Sequence, residues 1–161
     1  MTEEFSIDNI KNFVGKELGV SQWFVVDQGR IDFFGAASYD IDPQHNDPEW
    51  AAVNSPYGAT IAFGFQTLSM LSYLSRTGGL QPKGVGYALN YGFDRVRFIT
   101  PVLVGSRIRL RAKLGDARER SRGVYVLDLD CTVEIEHNEQ PALTARWLGL
   151  VAAEDVDPAS I

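Results

Sequence analysis

The second half of the chain alternates between apolar and polar residues with a period of two, which is the pattern of half-buried β-strands. This pattern predicts four long strands, at about 85 to 99, 106 to 115, 122 to 137 and 141 to 153. Arg and Lys fill the polar positions of the second strand, whereas Asp, Glu and Thr fill those of the third. Because oppositely charged side chains stabilise neighbouring strands, we expect an antiparallel sheet with one wet face and one apolar face.

The first half of the chain carries helix signals instead. Three stretches of apolar residues at helical spacing each follow a residue that favours the N-cap of a helix. The N-cap candidates are Ser6 or Asp8 for the first helix, Asp27 for the second, and Asp47 for the third, where Pro48 takes the first helical position. Gly19 is placed to end the first of these helices, and residues 23 to 26 predict a short strand. Residues 56 to 75 are apolar or small nearly all round at 3.6-residue spacing, which indicates a buried helix.

Together these elements predict the fold class. A buried helix followed by a long antiparallel sheet with one apolar face is typical of an α+β protein in the hot-dog arrangement, in which the sheet wraps around the helix. A chain of 161 residues is long enough to bury one hydrophobic core, so we expect a single domain over residues 1 to 161. Edge strands of such sheets commonly pair across a two-fold axis, which favours a homodimer.

Composition argues against several classes of function. The net charge of -6 argues against a nucleic-acid partner, because proteins that bind nucleic acid usually carry a basic excess. No apolar segment approaches the roughly 20 residues that span a bilayer, and the N-terminus lacks the basic start and apolar run of a signal peptide. The single cysteine, Cys131, cannot form an internal disulfide, so we expect a cytoplasmic protein that does not enter a membrane.

The two histidines are the first candidates for acid/base chemistry near neutral pH. His137 lies in the hairpin turn EHNEQP, where we interpret it as a solvated surface residue. His45 follows Asp40 by five positions in SYDIDPQHNDP, and both a solvated turn and an acid/base pair fit this loop taken alone. Cys131 alternates with apolar neighbours, which indicates a core thiol. One usable histidine and scattered carboxylates make no metal constellation, so we predict neither a metal site nor a cofactor.

The neighbourhood of His45 resembles a known motif. The segment FGAASYDIDPQHNDPEWA, residues 34 to 51, is similar to the hydratase-2 motif of the MaoC-like dehydratases, in which an aromatic residue leads into Gly-Asp-x-Asn-Pro-aliphatic-His. The positions that match in register are Phe34, Asp40, Pro43, His45 and Ala51. The resemblance continues through SPYGATIAFGFQTLSML and through NYGFDRVRFITPVLVGSRIRLRAKL, which is similar to the nodulation protein N-like branch, and it covers about residues 20 to 150.

The resemblance implies an (R)-specific enoyl-thioester hydratase with a hot-dog fold, acting on an acyl thioester of coenzyme A or of acyl carrier protein. Asp40 and His45 then hold one water and add it across the double bond, and the reverse reaction is a dehydration. Gly64 matches the glycine whose backbone N–H serves as the oxyanion donor. Ser72 matches a serine near the acyl pocket, although a small residue on a packed helix explains it too.

Four positions depart from the motif. Tyr39 stands where the motif has Gly, Asp42 where it has Asn, Gln44 where it has an aliphatic residue, and Phe63 where the family usually has His. Glycine reaches backbone angles that an aromatic residue adopts only with strain, so Tyr39 is the most serious departure. The alternative function is therefore a catalytically degenerate hot-dog subunit that binds an acyl thioester or supports a partner subunit.

The arginines of the predicted sheet have two explanations. Guanidinium groups pair well with phosphate, so a phosphate of coenzyme A is one partner, but pairing with the acidic strand explains Arg107, Arg109 and Arg111 equally well. Arg95 and Arg97 lie in the family-like block and are the better candidates for binding the substrate. Residues 56 to 75 contain no Asp or Glu, which argues against a hot-dog thioesterase, because many of those enzymes need a carboxylate on this helix.

Overall fold

The structure is a computed structural model that describes residues 4–157. A 3-10 helix at Ile7–Phe13 opens the described chain. The α-helices are α1 (Gln28–Ser38), α2 (Pro43–Asn46), α3 (Pro48–Asn54) and α4 (Gly64–Thr77). The strands are β1 (Glu17–Val20), β2 (Phe24–Val25), β3 (Val85–Phe98), β4 (Arg107–Ser121), β5 (Val124–Ile135) and β6 (Leu143–Ala153). Among residues 4–157, no helix has both the length and the apolar character needed to cross a membrane.

The strands form one antiparallel sheet in the order β1-β4-β5-β6-β3, with β2 also paired to β4. Helix α4 packs against the inner face of this sheet. Leu71 and Leu74 of α4 are fully buried in the same core as Leu110 of β4, Val133 of β5 and Leu143 of β6. Burying such side chains contributes about 1.5 to 3 kcal/mol each. The sheet and its enclosed helix confirm the predicted α+β hot-dog fold.

The long helix and the four long strands are confirmed, but the start of the helix and the end of the second strand differ from the sequence prediction by more than two residues. Helix α4 begins at Gly64 rather than near residue 56, because residues 60–62 run extended beside residues 102–104. In that ladder the Ala62 N–H donates to the Val102 carbonyl and the Val104 N–H donates to the Thr60 carbonyl. Strand β4 continues to Ser121, because its outer half pairs with β5 through a tight hairpin.

The predicted N-terminal helix is correct only in its first half. Ser6 stands at its N-cap, but the helix is 3-10 and ends at Phe13, where Gly15 turns the chain with φ of 83°. Gly19 does not end a helix, since it lies in strand β1 opposite Ala112 of β4. The prediction was wrong here because pairing with β4 determines the conformation of residues 17–20, and local spacing carries no information about that pairing.

The charged residues on the outer face of the sheet pair across strands, as predicted. Arg109 and Glu134 are direct cross-strand neighbours, with Arg109 Nε 2.6 Å from Glu134 Oε2. Arg111 Nε lies 2.7 Å from the other carboxylate oxygen of Glu134. Burial disfavours the charged carboxylate, but hydrogen bonds from Arg111 and Arg109 outweigh it, so the pKa of Glu134 lies below its ordinary value.

Replacing Glu134 by glutamine is expected to lower the free energy of unfolding by about 1 kcal/mol at pH 7, because two guanidinium groups lose their carboxylate. A lowered pKa in the folded state stabilises the protein above the ordinary carboxylate pKa of about 4.3, and this contribution is lost as the pH falls through the lowered value. Urea unfolding at pH 7 and pH 3 measures it. Glu136→Gln, which removes the single ion pair with Arg107, is the matched control and should have a smaller effect. A Glu134 effect that persists undiminished at pH 3 would contradict the assignment.

Candidate active site

His45 is held in the short helix α2 with its ring fixed from two sides. His45 Nδ1 lies 2.7 Å from the carbonyl oxygen of Ile61. Because a carbonyl oxygen only accepts, Nδ1 must carry the proton, and in the neutral ring Nε2 then bears the lone pair. The ring of Phe63 stacks on the imidazole at a centroid distance of 3.9 Å. Phe63, one of the four departures from the motif, therefore forms one wall of the histidine site.

Two residues that the sequence prediction missed anchor the backbone of this loop. The side-chain amide of Gln28 on α1 donates to the carbonyl oxygen of His45 at 2.8 Å. The hydroxyl of buried Thr60 donates in turn to the side-chain oxygen of Gln28. These bonds join α1, the His45 loop and the chain that leads into α4. A lone glutamine and a lone threonine give no sequence signal of such a role, because the contacts span 17 and 32 positions.

Gly64 and His45 line the same cleft, which has a volume of about 340 Å³. Thr67 and Phe98 also line it. Gly64 is the first residue of the 14-residue helix α4, so its N–H has no partner within the helix and lies at the positive end of the helix dipole. A cleft lined by a histidine and by a free backbone N–H has the two kinds of group that can move a proton and polarise a carbonyl.

Asp40 lies outside this cleft, in the turn that follows α1. Tyr39 ends α1 in the left-handed conformation, with φ of 59°, and both Tyr39 and Asp40 donate their N–H to the Gly35 carbonyl. Asp40 is exposed, and among the described residues no hydrogen bond joins its carboxylate to His45. The structure thus brings His45 and Gly64 together, and leaves Asp40 on the exposed turn five residues before His45.

Tyr39 keeps the backbone conformation that a glycine favours. Its side chain is 94% exposed, so no packing offsets the steric cost of the left-handed angles. Tyr39→Gly is therefore expected to raise the free energy of unfolding by about 1 kcal/mol, whereas Tyr39→Ala, which keeps the β-carbon, should leave it nearly unchanged. Urea unfolding of both variants measures the difference. Equal stability of the glycine and alanine variants would show that the turn carries no strain.

Asp42, a second departure, fulfils the role that asparagine plays at a helix start. Its side chain accepts the Gln44 N–H at 2.9 Å and caps α2, with Pro43 at the first helical position. Asp and Asn are similarly effective N-caps, so this change preserves the local fold. Gln44 thereby takes a fixed backbone position next to His45, and its side-chain Nε2 lies 3.3 Å from His45 Nε2.

Ser72 belongs to a second, larger cavity of about 450 Å³ between the C-terminal half of α4 and the inner face of the sheet. The cavity is lined by both polar and apolar side chains, among them Ser75, Leu110, Leu129 and Trp147. Cys131 also lines it and is buried, and burial raises the pKa of its thiol to about 12. A thiol with that pKa stays protonated at neutral pH, in agreement with the prediction of a core thiol.

The two candidate arginines lie apart from both cavities. Register places Arg95 opposite Arg146 and Arg97 opposite Thr144, so both side chains project from the outer face of the sheet, away from α4. Within residues 4–157, neither has an ion pair with a carboxylate, and Arg97 donates to the Val96 carbonyl at 2.8 Å. Arg95 and Arg97 are thus accessible cations outside the cleft of His45 and Gly64.

Comparison with known proteins identifies the family. Residues 9–134 match the model of the MaoC-like domain. The chain belongs to the MaoC-like domain family. The structure of this MaoC-like protein is similar to that of an (R)-hydratase from Pseudomonas aeruginosa, with a TM-score of 0.71 and 17% sequence identity over 98% of this chain and 94% of that chain. The two proteins therefore share the hot-dog fold, and the predicted family resemblance is confirmed.

Two relatives in sequence have different names. The MaoC-like protein is 44% identical over 154 residues to nodulation protein N of Rhizobium leguminosarum bv. viciae, and the match covers 96% of each chain. It is 37% identical over 140 residues to 3-hydroxyacyl-thioester dehydratase Z of Mycobacterium tuberculosis. That match covers 87% of this chain and 91% of the relative. The name of the second relative refers to acyl-thioester chemistry.

Proposed function

We propose that this protein adds water to trans-2-enoyl thioesters to give (R)-3-hydroxyacyl thioesters, and catalyses the reverse dehydration. The observation that carries the proposal is the cleft that both His45 and Gly64 line. Membership of a family that includes enoyl-CoA hydratases and 3-hydroxyacyl dehydratases supports it. So does the 37% identity to a protein named as a 3-hydroxyacyl-thioester dehydratase.

In the proposed reaction, the oxygen of water forms a bond to the β-carbon of the enoyl group while the double bond to the α-carbon breaks. The electron pair moves toward the thioester oxygen, where the Gly64 N–H donates to the developing negative charge. Asp40, as a carboxylate, orients the water and takes up its proton. His45 then carries that proton from Asp40 to the α-carbon, so that both groups return to their starting states. Hydroxide at the β-carbon and a proton at the α-carbon add up to one water.

Asp40 can serve this role only if it reaches the water from the exposed turn. The Asp40 carboxylate has no hydrogen-bond partner among the described residues that would hold it away, and we propose that its side chain turns toward a water at His45 Nε2. Positioned acid/base groups contribute about 10²- to 10⁴-fold in rate. We therefore assign Asp40 and His45 as the acid/base pair and Gly64 as the oxyanion donor.

The larger cavity is the proposed site for the acyl chain. Ser72 lies eight residues after Gly64 on α4, which places it about 12 Å further along the helix. An acyl chain that starts at the Gly64 N–H would run along α4 toward this cavity. Arg95 and Arg97, which have no carboxylate partner in the described chain, are proposed to bind the phosphate groups of coenzyme A, or the phosphopantetheine phosphate of acyl carrier protein.

We propose that the protein acts as a cytoplasmic homodimer joined through strand β3. This strand of 14 residues pairs with β6 on one side and forms the end of the sheet. Its apolar side chains Tyr87, Leu89, Tyr91 and Phe93 are 40% to 54% exposed. A long apolar edge with free backbone groups is a template for pairing with another strand, and a second copy supplies a matching one.

A subunit that binds thioesters without turnover is the second candidate, favoured by the position of Asp40 outside the cleft. The deciding experiment incubates the purified wild type with crotonyl-CoA and with a longer trans-2-enoyl-CoA, and follows the loss of enoyl-thioester absorbance. Turnover with retention of the thioester supports the hydratase. Release of free thiol would indicate a thioesterase. Measurable thioester binding without turnover, or a protein that stays soluble only with another subunit, would favour the second candidate.

A further inference from the structure

The side chain of Gln44 contacts the nitrogen of His45 that the proposed reaction uses. Gln44 Nε2 lies 3.3 Å from His45 Nε2. Since His45 Nδ1 donates to the Ile61 carbonyl, the neutral ring accepts at Nε2, and the Gln44 amide must be the donor. The family motif has an aliphatic residue here, so this hydrogen bond is a feature that the motif does not supply.

The geometry allows the same amide to reach a water bound at His45. A water about 2.8 Å from His45 Nε2 can lie within about 3 Å of the Gln44 amide nitrogen, because the two nitrogens are only 3.3 Å apart. The bond between them is at the long end of the usual range, and the Gln44 side chain is exposed, so it can turn from the ring to the water. The Asp42 cap fixes the Gln44 backbone and keeps the amide close.

The nucleophilic water has room for a third partner. When it donates one hydrogen to Asp40 and the other to His45 Nε2, both of its hydrogens are used and two lone pairs remain. One lone pair attacks the β-carbon, and the other can accept a hydrogen bond. We infer that Gln44 is a third residue that holds the water. Its amide N–H donates to the second lone pair of the water, which orients the first lone pair toward the β-carbon. This inference rests on the proposed hydratase function.

The test compares Gln44→Met with Gln44→Glu. Methionine keeps the length of the side chain without a hydrogen bond, and glutamate keeps its shape but cannot donate. We expect Gln44→Met to lower kcat for crotonyl-CoA hydration about three- to tenfold with KM unchanged, and Gln44→Glu to lower it further, because its charge also opposes Asp40. Gln140→Met, in the exposed turn before β6, is the matched control and should behave as wild type.

A second readout does not depend on turnover. In the ligand-free wild type, the 15N resonance of His45 Nε2 should be displaced from the position of a free pyridine-type nitrogen, and Gln44→Met should move it toward that position. An active wild type with unchanged kcat in Gln44→Met would overturn the role of Gln44 and leave the hydratase intact. An unmoved Nε2 resonance would overturn the contact itself. A wild type without hydration activity would remove the proposed function, and with it the inference.

Discussion

Replacing His45 by alanine is expected to lower kcat for hydration of an enoyl thioester about 10²- to 10⁴-fold, because the proposed reaction loses the group that shuttles a proton to the α-carbon. Asp40→Asn should cause a loss of similar size, because an amide cannot take up the proton of the water. Initial rates of crotonyl-CoA hydration measure both effects. The unfolding midpoint of each variant must be recorded as well, since His45 also bonds to Ile61 and stacks on Phe63.

The chain offers a matched control for each of these substitutions. His137→Ala removes the other histidine, which lies exposed in the turn after β5. Asp155→Asn makes the same chemical change at an exposed position after β6. Both should retain wild-type rates. If Asp40→Asn were fully active while His45→Ala was not, Asp40 would stay on the exposed turn during the reaction. Another group would then have to accept the proton of the water.

The second large effect concerns the N–H of Gly64, which only proline can remove. Proline is well suited to the first position of a helix, and Phe63 before it has φ of -63° and ψ of 141°, angles that a residue preceding proline adopts readily. Gly64→Pro is therefore expected to fold and to lower kcat about 10²- to 10³-fold by removing the oxyanion donor.

Gly64→Ala is the control for the added carbon. A β-carbon at residue 64 would lie 3.1 to 3.3 Å from the ring of Phe98, so both variants force this half-exposed ring to shift. Alanine keeps the N–H, and the ratio of kcat between the alanine and proline variants isolates the hydrogen bond. Equal kcat values in the two variants would mean that the Gly64 N–H does not stabilise the reaction.

Local patterns predicted the elements whose conformation depends on nearby residues. Asp27 and Asp47 cap α1 and α3 as expected, and the period-two pattern located the four long strands. The pairing of Arg109 with Glu134 also followed from the sequence, because the charges alternate in step along adjacent strands. In each case the signal lay within one element or between hairpin neighbours.

The features that the sequence did not predict arise from contacts between distant segments. Strand β1 exists because β4 pairs with it, and the late start of α4 follows from the ladder between residues 60–62 and 102–104. The motif named His45 and Gly64, but the support that Gln28 gives the His45 loop depends on tertiary structure. Gln44 was visible in the sequence as a departure from the motif, and its contact with the imidazole required the folded loop.

The four departures from the motif, at Tyr39, Asp42, Gln44 and Phe63, are compatible with the proposed site. Tyr39 keeps the left-handed turn, Asp42 keeps the helix cap, and Phe63 and Gln44 contact the imidazole of His45. We therefore expect that the four departures from the motif do not prevent the proposed reaction.

The most direct test of the central claim is the configuration of the product that catalytic amounts of wild-type protein form from crotonyl-CoA. Chiral analysis of the 3-hydroxybutyryl thioester should find the (R) form, in an amount that exceeds the protein by many turnovers. A product of the (S) configuration, or no hydration product, would contradict the account.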